Sequence, residues 1–327
     1  MGPLESTRPC YHQRMIFLRC LLAFAVFLAL MGAASAQDDC PPRVGMPTQA
    51  QLQAAQKLAQ DRGFLWRITK EGRSAYLYGT IHIAKLDWVF PGPEMRKALK
   101  DTDSLALELN LLDPDTLSQL TRGTTQTEPR PLPAALQERL ARQAKASCVP
   151  VDQLASLRPE FQIINLSVMA LLKDGLDPAY GVDMMLAVMA KSSQKPIAAI
   201  ETASEQLALL QVADTDEAIA TVDEGLLLLE NGSAQVLMAK LAKAWEGSDY
   251  ATLSSYTDWC NCANTAKEQA QMRRLLDERN PLMAQRIDAL HAKGGRVFAA
   301  VGALHMMGPQ GLPALMAKLG YSVEKVF

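Results

Sequence analysis

Apolar and polar positions alternate in two neighbouring runs, Phe64-Leu65-Trp66-Arg67-Ile68-Thr69 and Ala75-Tyr76-Leu77-Tyr78-Gly79-Thr80-Ile81, with Glu71-Gly72 between them. Period-two alternation on either side of a Gly-containing turn predicts a β-hairpin. Short apolar runs at 104–109, 196–200, 296–302 and 321–327 predict further strands. Helical spacing marks most of the rest. Residues 49–62 form an amphipathic pattern with Thr48 as N-cap and Gly63 just past the end, and Pro93 opens a short helix to residue 100. A helical section runs over 113–192, broken by prolines near 129–133, 150, 159 and 178; a second fills 203–292, divided at Gly232, Gly247 and Pro281; a last helix covers 313–319. The predicted class is α/β (α+β). A central mixed sheet from the N- and C-terminal segments carries a large, mostly helical insertion over about 113–292, within a single domain spanning 48–327. No short-period repeat interrupts this plan.

The first residues follow a different pattern. Arg14 and Arg19 flank the start of an apolar run through Leu30, and small residues follow to Ala34-Ser35-Ala36. That is the basic, apolar and small-residue order of a secretory signal peptide, with cleavage expected after Ala36 and a mature start at Gln37. The run is short for a membrane span, no lipobox Cys stands at the cleavage point, and no Arg-Arg pair precedes it. Residues 37–47, polar and Pro-rich, read as a disordered lead-in. No later apolar stretch is long enough to cross a bilayer, so the expectation is an exported chain, periplasmic or secreted, with no stable membrane anchor.

Charge narrows the partners. Setting aside three Arg and one Glu in residues 1–36 leaves 30 basic and 34 acidic groups, a formal charge of −4. So mild a balance carries no nucleic-acid footprint. Four cysteines remain, Cys40, Cys148, Cys260 and Cys262, and export makes disulfides the leading reading over free thiols or a metal site. A bridge between Cys260 and Cys262 would close a very tight ring, so the expectation is that one of them reaches Cys148 or Cys40.

Chemistry concentrates on the histidines. Only His82, His291 and His305 lie beyond residue 36. Two of the three close the same frame, Gly79-Thr80-Ile81-His82 and Gly302-Ala303-Leu304-His305, a coincidence on the order of 1% by chance. His82, Glu108, Glu201 and His305 each stand at or just past the end of a short apolar run, where α/β sheets bind ligands. The glycines, Gly79 and Gly302, permit a tight turn or a close backbone approach. Two imidazoles and a carboxylate match a facial-type set for a divalent transition metal: Mn, Co, Zn or Fe. Glu108, between two leucines, either faces solvent or is buried and paired. Asp183 starts a helix and either caps it or serves the site. Arg279 could clamp a carboxylate or phosphate, or complement the end of its helix; Asn280 could orient a substrate. His291, in a helix without a nearby carboxylate, reads as a surface residue. The Met-rich stretch 183–189 reads as core, and no nucleophile elbow, P-loop or zincin frame occurs.

Leu77-Tyr78-Gly79-Thr80-Ile81-His82, Leu107-Glu108-Leu109 followed by Asp113-Pro114, Gly181-Val182-Asp183, Lys195-Pro196 with Glu201-Thr202, Glu278-Arg279-Asn280, and Val301-Gly302-Ala303-Leu304-His305-Met306-Met307-Gly308 resemble the TraB/PrgY/GumN family over about 64–327. The branch most resembled includes the TIKI metalloproteases, and the resemblance implies a fold shared with erythromycin-esterase-like and ChaN-like proteins. It further implies a site of His82, His305 and Glu108, with Arg279 and Asn280 supporting the site or the substrate. The expected function is thus a metal-dependent hydrolase acting on peptides or proteins; a haem- or iron-binding ChaN-like protein and a non-catalytic regulatory protein are the alternatives.

Overall fold

The computed structural model describes residues 47–128 and 130–327; the expected signal segment, nearly all of the lead-in and Cys40 lie outside them. Six strands form one mixed sheet: β1 (Phe64–Lys70), β2 (Arg73–Thr80), β3 (Ser104–Leu107), β4 (Ile197–Ala199), β5 (Val297–Gly302) and β6 (Ser322–Lys325), in the order β4-β3-β5-β2-β1-β6. The hairpin forms where the alternation places it, with Lys70 opposite Arg73. Its two turn residues, Glu71 and Gly72, both hold positive φ, 54° and 73°, the twist a two-residue hairpin loop requires. β1 pairs antiparallel with β6, whereas β2, β5, β3 and β4 run parallel.

Strand β5, late in the chain, inserts between β2 and β3, which are consecutive in the chain. Its residues Val297 to Val301 are all buried, as expected of a parallel strand covered on both faces. This insertion carries the ends of β2, β3 and β5 to one edge of the sheet. β4 divides the predicted helical insertion in two, and the helices pack with the sheet in one continuous apolar core. Among the described residues no helix is long and apolar enough to cross a membrane.

Three local expectations change. The first helix spans Gln49–Lys57, capped by Thr48 and Gln51 as a reciprocal box, and stops short of residue 62. Tertiary contacts claim the remainder: Asp61 accepts from the backbone N–H of Glu94 and Met95, so it caps the next helix. His291 is 1% exposed and packs against the Tyr321 ring at 5.3 Å, so it is a core histidine rather than a surface one. Finally, Cys260 and Cys262 bridge each other, correcting the longer-range pairing expected above. Asn261 between them sits at φ 58°; that turn brings the two Cα atoms to 5.1 Å, within the usual disulfide range. Cys148 is also disulfide-bonded.

Candidate functional site

All four strand-end residues singled out by pattern are drawn to the same edge of the sheet. Glu108 follows β3, and the ladder continues past it through Glu201 N–H to Glu108 O, 2.8 Å. His82 follows β2, and His305 lies in a short 3-10 turn after β5. Gly302 stands between them. A Cβ there would lie 3.3 Å from Glu108 Oε1, 3.6 Å from His82 Nε2 and 3.7 Å from His305 Cδ2. The missing side chain therefore leaves a small cradle bounded by an imidazole nitrogen, a carboxylate oxygen and a second imidazole. Gly79 has a related role one strand over, where a Cβ would meet Ala303 Cα at 3.0 Å.

Glu108 is 6% exposed and accepts hydrogen bonds at both oxygens. Oε1 takes the Gly302 N–H at 2.7 Å; Oε2 takes Arg279 Nη2 and Gln206 Nε2, each at 3.0 Å. Arg279 is the centre of a buried charge network. Its Nε donates to Glu201 Oε1 at 2.8 Å, its Nη2 also reaches Glu201 Oε2, and Gln206 Nε2 bridges to that same oxygen at 3.0 Å. Burial acts to lower the Arg279 pKa, but Glu201 and Glu108 outweigh it and raise it. Arg279, read from the sequence as a clamp for a carboxylate or phosphate or as a helix-end partner, closes on the protein's own carboxylates.

His305 has a fixed tautomer. Arg279 can only donate, and its Nη1 lies 3.0 Å from His305 Nε2, so Nε2 accepts and Nδ1 carries the proton. Nδ1–H then donates to Asn280 Oδ1 at 2.6 Å, and Asn280 Nδ2 donates to Gln310 O at 2.8 Å. Burial and the adjacent guanidinium push the His305 pKa well below its ordinary value. Asn280, expected to orient a substrate, here orients this imidazole.

His82 is held from the opposite side. Asp183, in the first turn of helix Val182–Ser192, accepts from Thr80 Oγ1 and lies 2.5 Å from His82 Nδ1. Val182 N–H also donates to Ile81 O at 2.9 Å. Gly181 makes this clip possible, since a Cβ there would stand 2.4 Å from His82 O. The arrangement aims His82 Nε2 toward Glu108 Oε1, 4.0 Å away. Burial acts to depress the His82 pKa, but the charge and hydrogen bond of Asp183, with Glu108 adding, lift it to about 9.

A folded-state pKa above the usual 6.5 stabilises the fold fully below that pH, and the contribution is lost as pH rises through about 9. In chelator-treated protein, Asp183→Asn should therefore lower the melting temperature most near neutral or mildly acidic pH, and much less at about pH 10. A pH-independent difference would refute the pairing.

Donor types at the cradle fit a divalent cation. His82 Nε2 and Glu108 Oε1 face each other across it, and the proton on Nδ1 of His82 is fixed by a carboxylate, the usual support for a metal-binding imidazole. As the side chains stand, His305 Nε2 is engaged by Arg279, so a third protein ligand requires that hydrogen bond to yield. Accordingly, no group of three or more His, Cys, Asp or Glu among the described residues is already spaced around an ion.

The cradle opens into a cavity of about 690 Å³, including its mouth. Its walls come from His82, Glu108 and His305 together with Ile83, Met238, Leu241, Trp245, Leu253 and Leu275. Sequence reasoning missed this wall and Gln206. The wall residues sit on helices whose apolar stripes read as ordinary core, and Gln206 carries no spacing signal at all.

The chain is 26% identical over 259 residues to "Uncharacterized protein YbaP" of Shigella flexneri and of Escherichia coli K12, covering 75% of this chain and 88% of each relative. It is 27% identical over 312 residues to "Metalloprotease TIKI1" of Danio rerio, covering 80% of this chain and 62% of that protein. No solved structure matches significantly. The model of the TraB/PrgY/gumN family matches residues 64–325, which span every strand and every residue of the cradle, and the chain belongs to that family.

Proposed function

We propose that this protein is an exported, metal-dependent hydrolase of peptides or proteins, working at the Gly302 cradle. The observation that carries the reading is the meeting of His82 Nε2, Glu108 Oε1 and the His305 ring around Gly302, all within 3.7 Å of where its Cβ would lie. The similarity to a protein named as a metalloprotease points the same way. The Cys260–Cys262 bridge suits an oxidising compartment, in keeping with the leader-like pattern of residues 1–36.

In this reading His82 would hold the cation, with His305 as a second imidazole once Arg279 frees its Nε2, and Glu108 would serve either as a further ligand or as the general base. A divalent cation there would supply Lewis-acid polarisation of the scissile carbonyl and make water acidic enough to attack near neutral pH. The chain's own groups do the rest. Arg279, Gln206 and Gly302 N–H keep Glu108 aimed, so that as a base its Oε1 can accept a proton from the attacking water. Asp183 and Asn280 fix the two imidazoles from behind, and the apolar walls exclude bulk water.

The test is metal analysis of protein purified without chelator or metal-affinity resin, with peptide-library cleavage measured with and without Mn or Co. Bound metal and cleavage should both be present in the parent protein. Both should fall sharply in His82→Ala, and in His305→Ala if that ring completes the set. Metal-independent cleavage, or unchanged metal content in His82→Ala, would defeat the proposal.

A further inference from the structure

The cavity beside the cradle has an unusual division of character. Its polar groups, Thr80, His82, Glu108 and His305, are all at the strand-end edge, and no Lys, Arg or Asp lines it. The remaining wall is aliphatic and aromatic. Helix Ser233–Glu246 contributes Met238, Leu241 and Trp245, each at most 5% exposed; Leu253 and Leu275 close the side, at 2% and 1%.

This wall is held in place. Trp245 Nε1 donates to Gly79 O at 2.8 Å, and Gly63 N–H donates to Trp245 O at 3.0 Å. A Cβ on Gly63, itself at φ 75°, would stand 2.7 Å from Trp245 Nε1, so indole and backbone are in direct contact. Trp88 packs against the indole at 5.5 Å between centroids, its ring tilted by 35°. The indole is thereby tied to the same strand whose end carries His82. A pocket fixed to the reacting edge in this way can select by size as well as by polarity.

We infer that this apolar wall is a side-chain specificity pocket, which seats one large aliphatic or aromatic residue of a peptide next to the bond at the cradle. The inference rests on the hydrolase reading and deepens it by naming the substrate class. A charged side chain entering here would be stripped of water with no counter-charge on the wall. An apolar side chain exchanges water for the Met238, Leu241 and Trp245 surfaces. The fixed indole forms one rigid side of the space such a side chain would enter. Hydrophobic pockets discriminate by roughly 10- to 200-fold per methylene, so Leu or Phe should be favoured over Asp or Lys by on the order of 10²-fold or more.

The experiment uses the full chain and the peptides acetyl-Gly-Gly-Xaa-Gly-Gly-amide, with Xaa as Leu, Phe, Asp or Lys. Binding is measured by calorimetry on metal-stripped protein, and cleavage separately with added Mn. The expected result is preferential binding and cleavage of the Leu and Phe peptides. Met238→Ala, which enlarges the pocket, should shift the preference toward Phe over Leu; Leu241→Asp should reduce Leu binding at least 10-fold while improving Lys relative to Leu. The Met238 variant retains an apolar wall, so it serves if the Leu241 variant folds poorly. Equal binding of all four peptides, or an apolar preference that neither variant alters, would overturn the pocket. Selective binding without cleavage at any metal concentration would leave the pocket standing and remove the hydrolase reading.

Discussion

Arg279→Met should destabilise the protein by about 3–5 kcal/mol at neutral pH, the usual cost of leaving a buried charge without its partner. Arg279, Glu108 and Glu201 are 7%, 6% and 6% exposed, so water cannot take over for the missing guanidinium. Without it, two carboxylates remain joined through a single amide, Gln206 Nε2, 3.0 Å from each. Methionine fills most of the volume, so the loss reads charge rather than cavity. In the variant, two buried carboxylates stand side by side with no cation between them. Urea melts should show this loss directly, and Glu201→Gln in the same chain should recover part of it by removing one of the two buried charges. Parent-like stability at neutral pH would show that the network contributes nothing to the fold.

Much of this site is legible in the sequence because strand ends are. The runs before His82, Glu108, Glu201 and His305 are short and apolar, so each polar residue marks a place where the chain leaves the sheet. Parallel pairing of β2, β5, β3 and β4 does the rest by putting those ends on one edge. What sequence could not supply is which partner each group finds. Arg279 is 171 residues from Glu108, and nothing local distinguishes a guanidinium that will bind substrate from one that will hold two buried glutamates. The Cys260 pairing failed for a local reason: ring size argued against it, but a positive φ at Asn261 removes the obstacle. His291 failed because a histidine between Leu290 and Ala292 looks the same on either face of a helix, and only the position of Tyr321 decides it.

Glu108→Gln should cost roughly 10²- to 10⁴-fold in turnover if Glu108 is the general base. The substitution matches the shape of the side chain but not its hydrogen bonding. Every group that reaches this carboxylate is a donor: Gly302 N–H at Oε1, Arg279 Nη2 and Gln206 Nε2 at Oε2. Whichever way the glutamine amide is turned, its NH2 opposes a donor. Some loss of stability, about 1–3 kcal/mol for an unsatisfied buried group, must therefore accompany the chemical effect and be measured beside it. Turning the amide oxygen toward Gly302 preserves an acceptor at the cradle but leaves the NH2 against Arg279, so the loss should be smaller when Arg279→Met is combined with it. Three readings on one sample then separate the roles. Turnover that falls with metal content intact and melting temperature only modestly reduced identifies a base. Metal content that falls in parallel with turnover identifies a ligand. Activity within a few-fold of the parent, in a variant that still binds metal, would place the proton acceptor elsewhere and remove Glu108 from the chemistry.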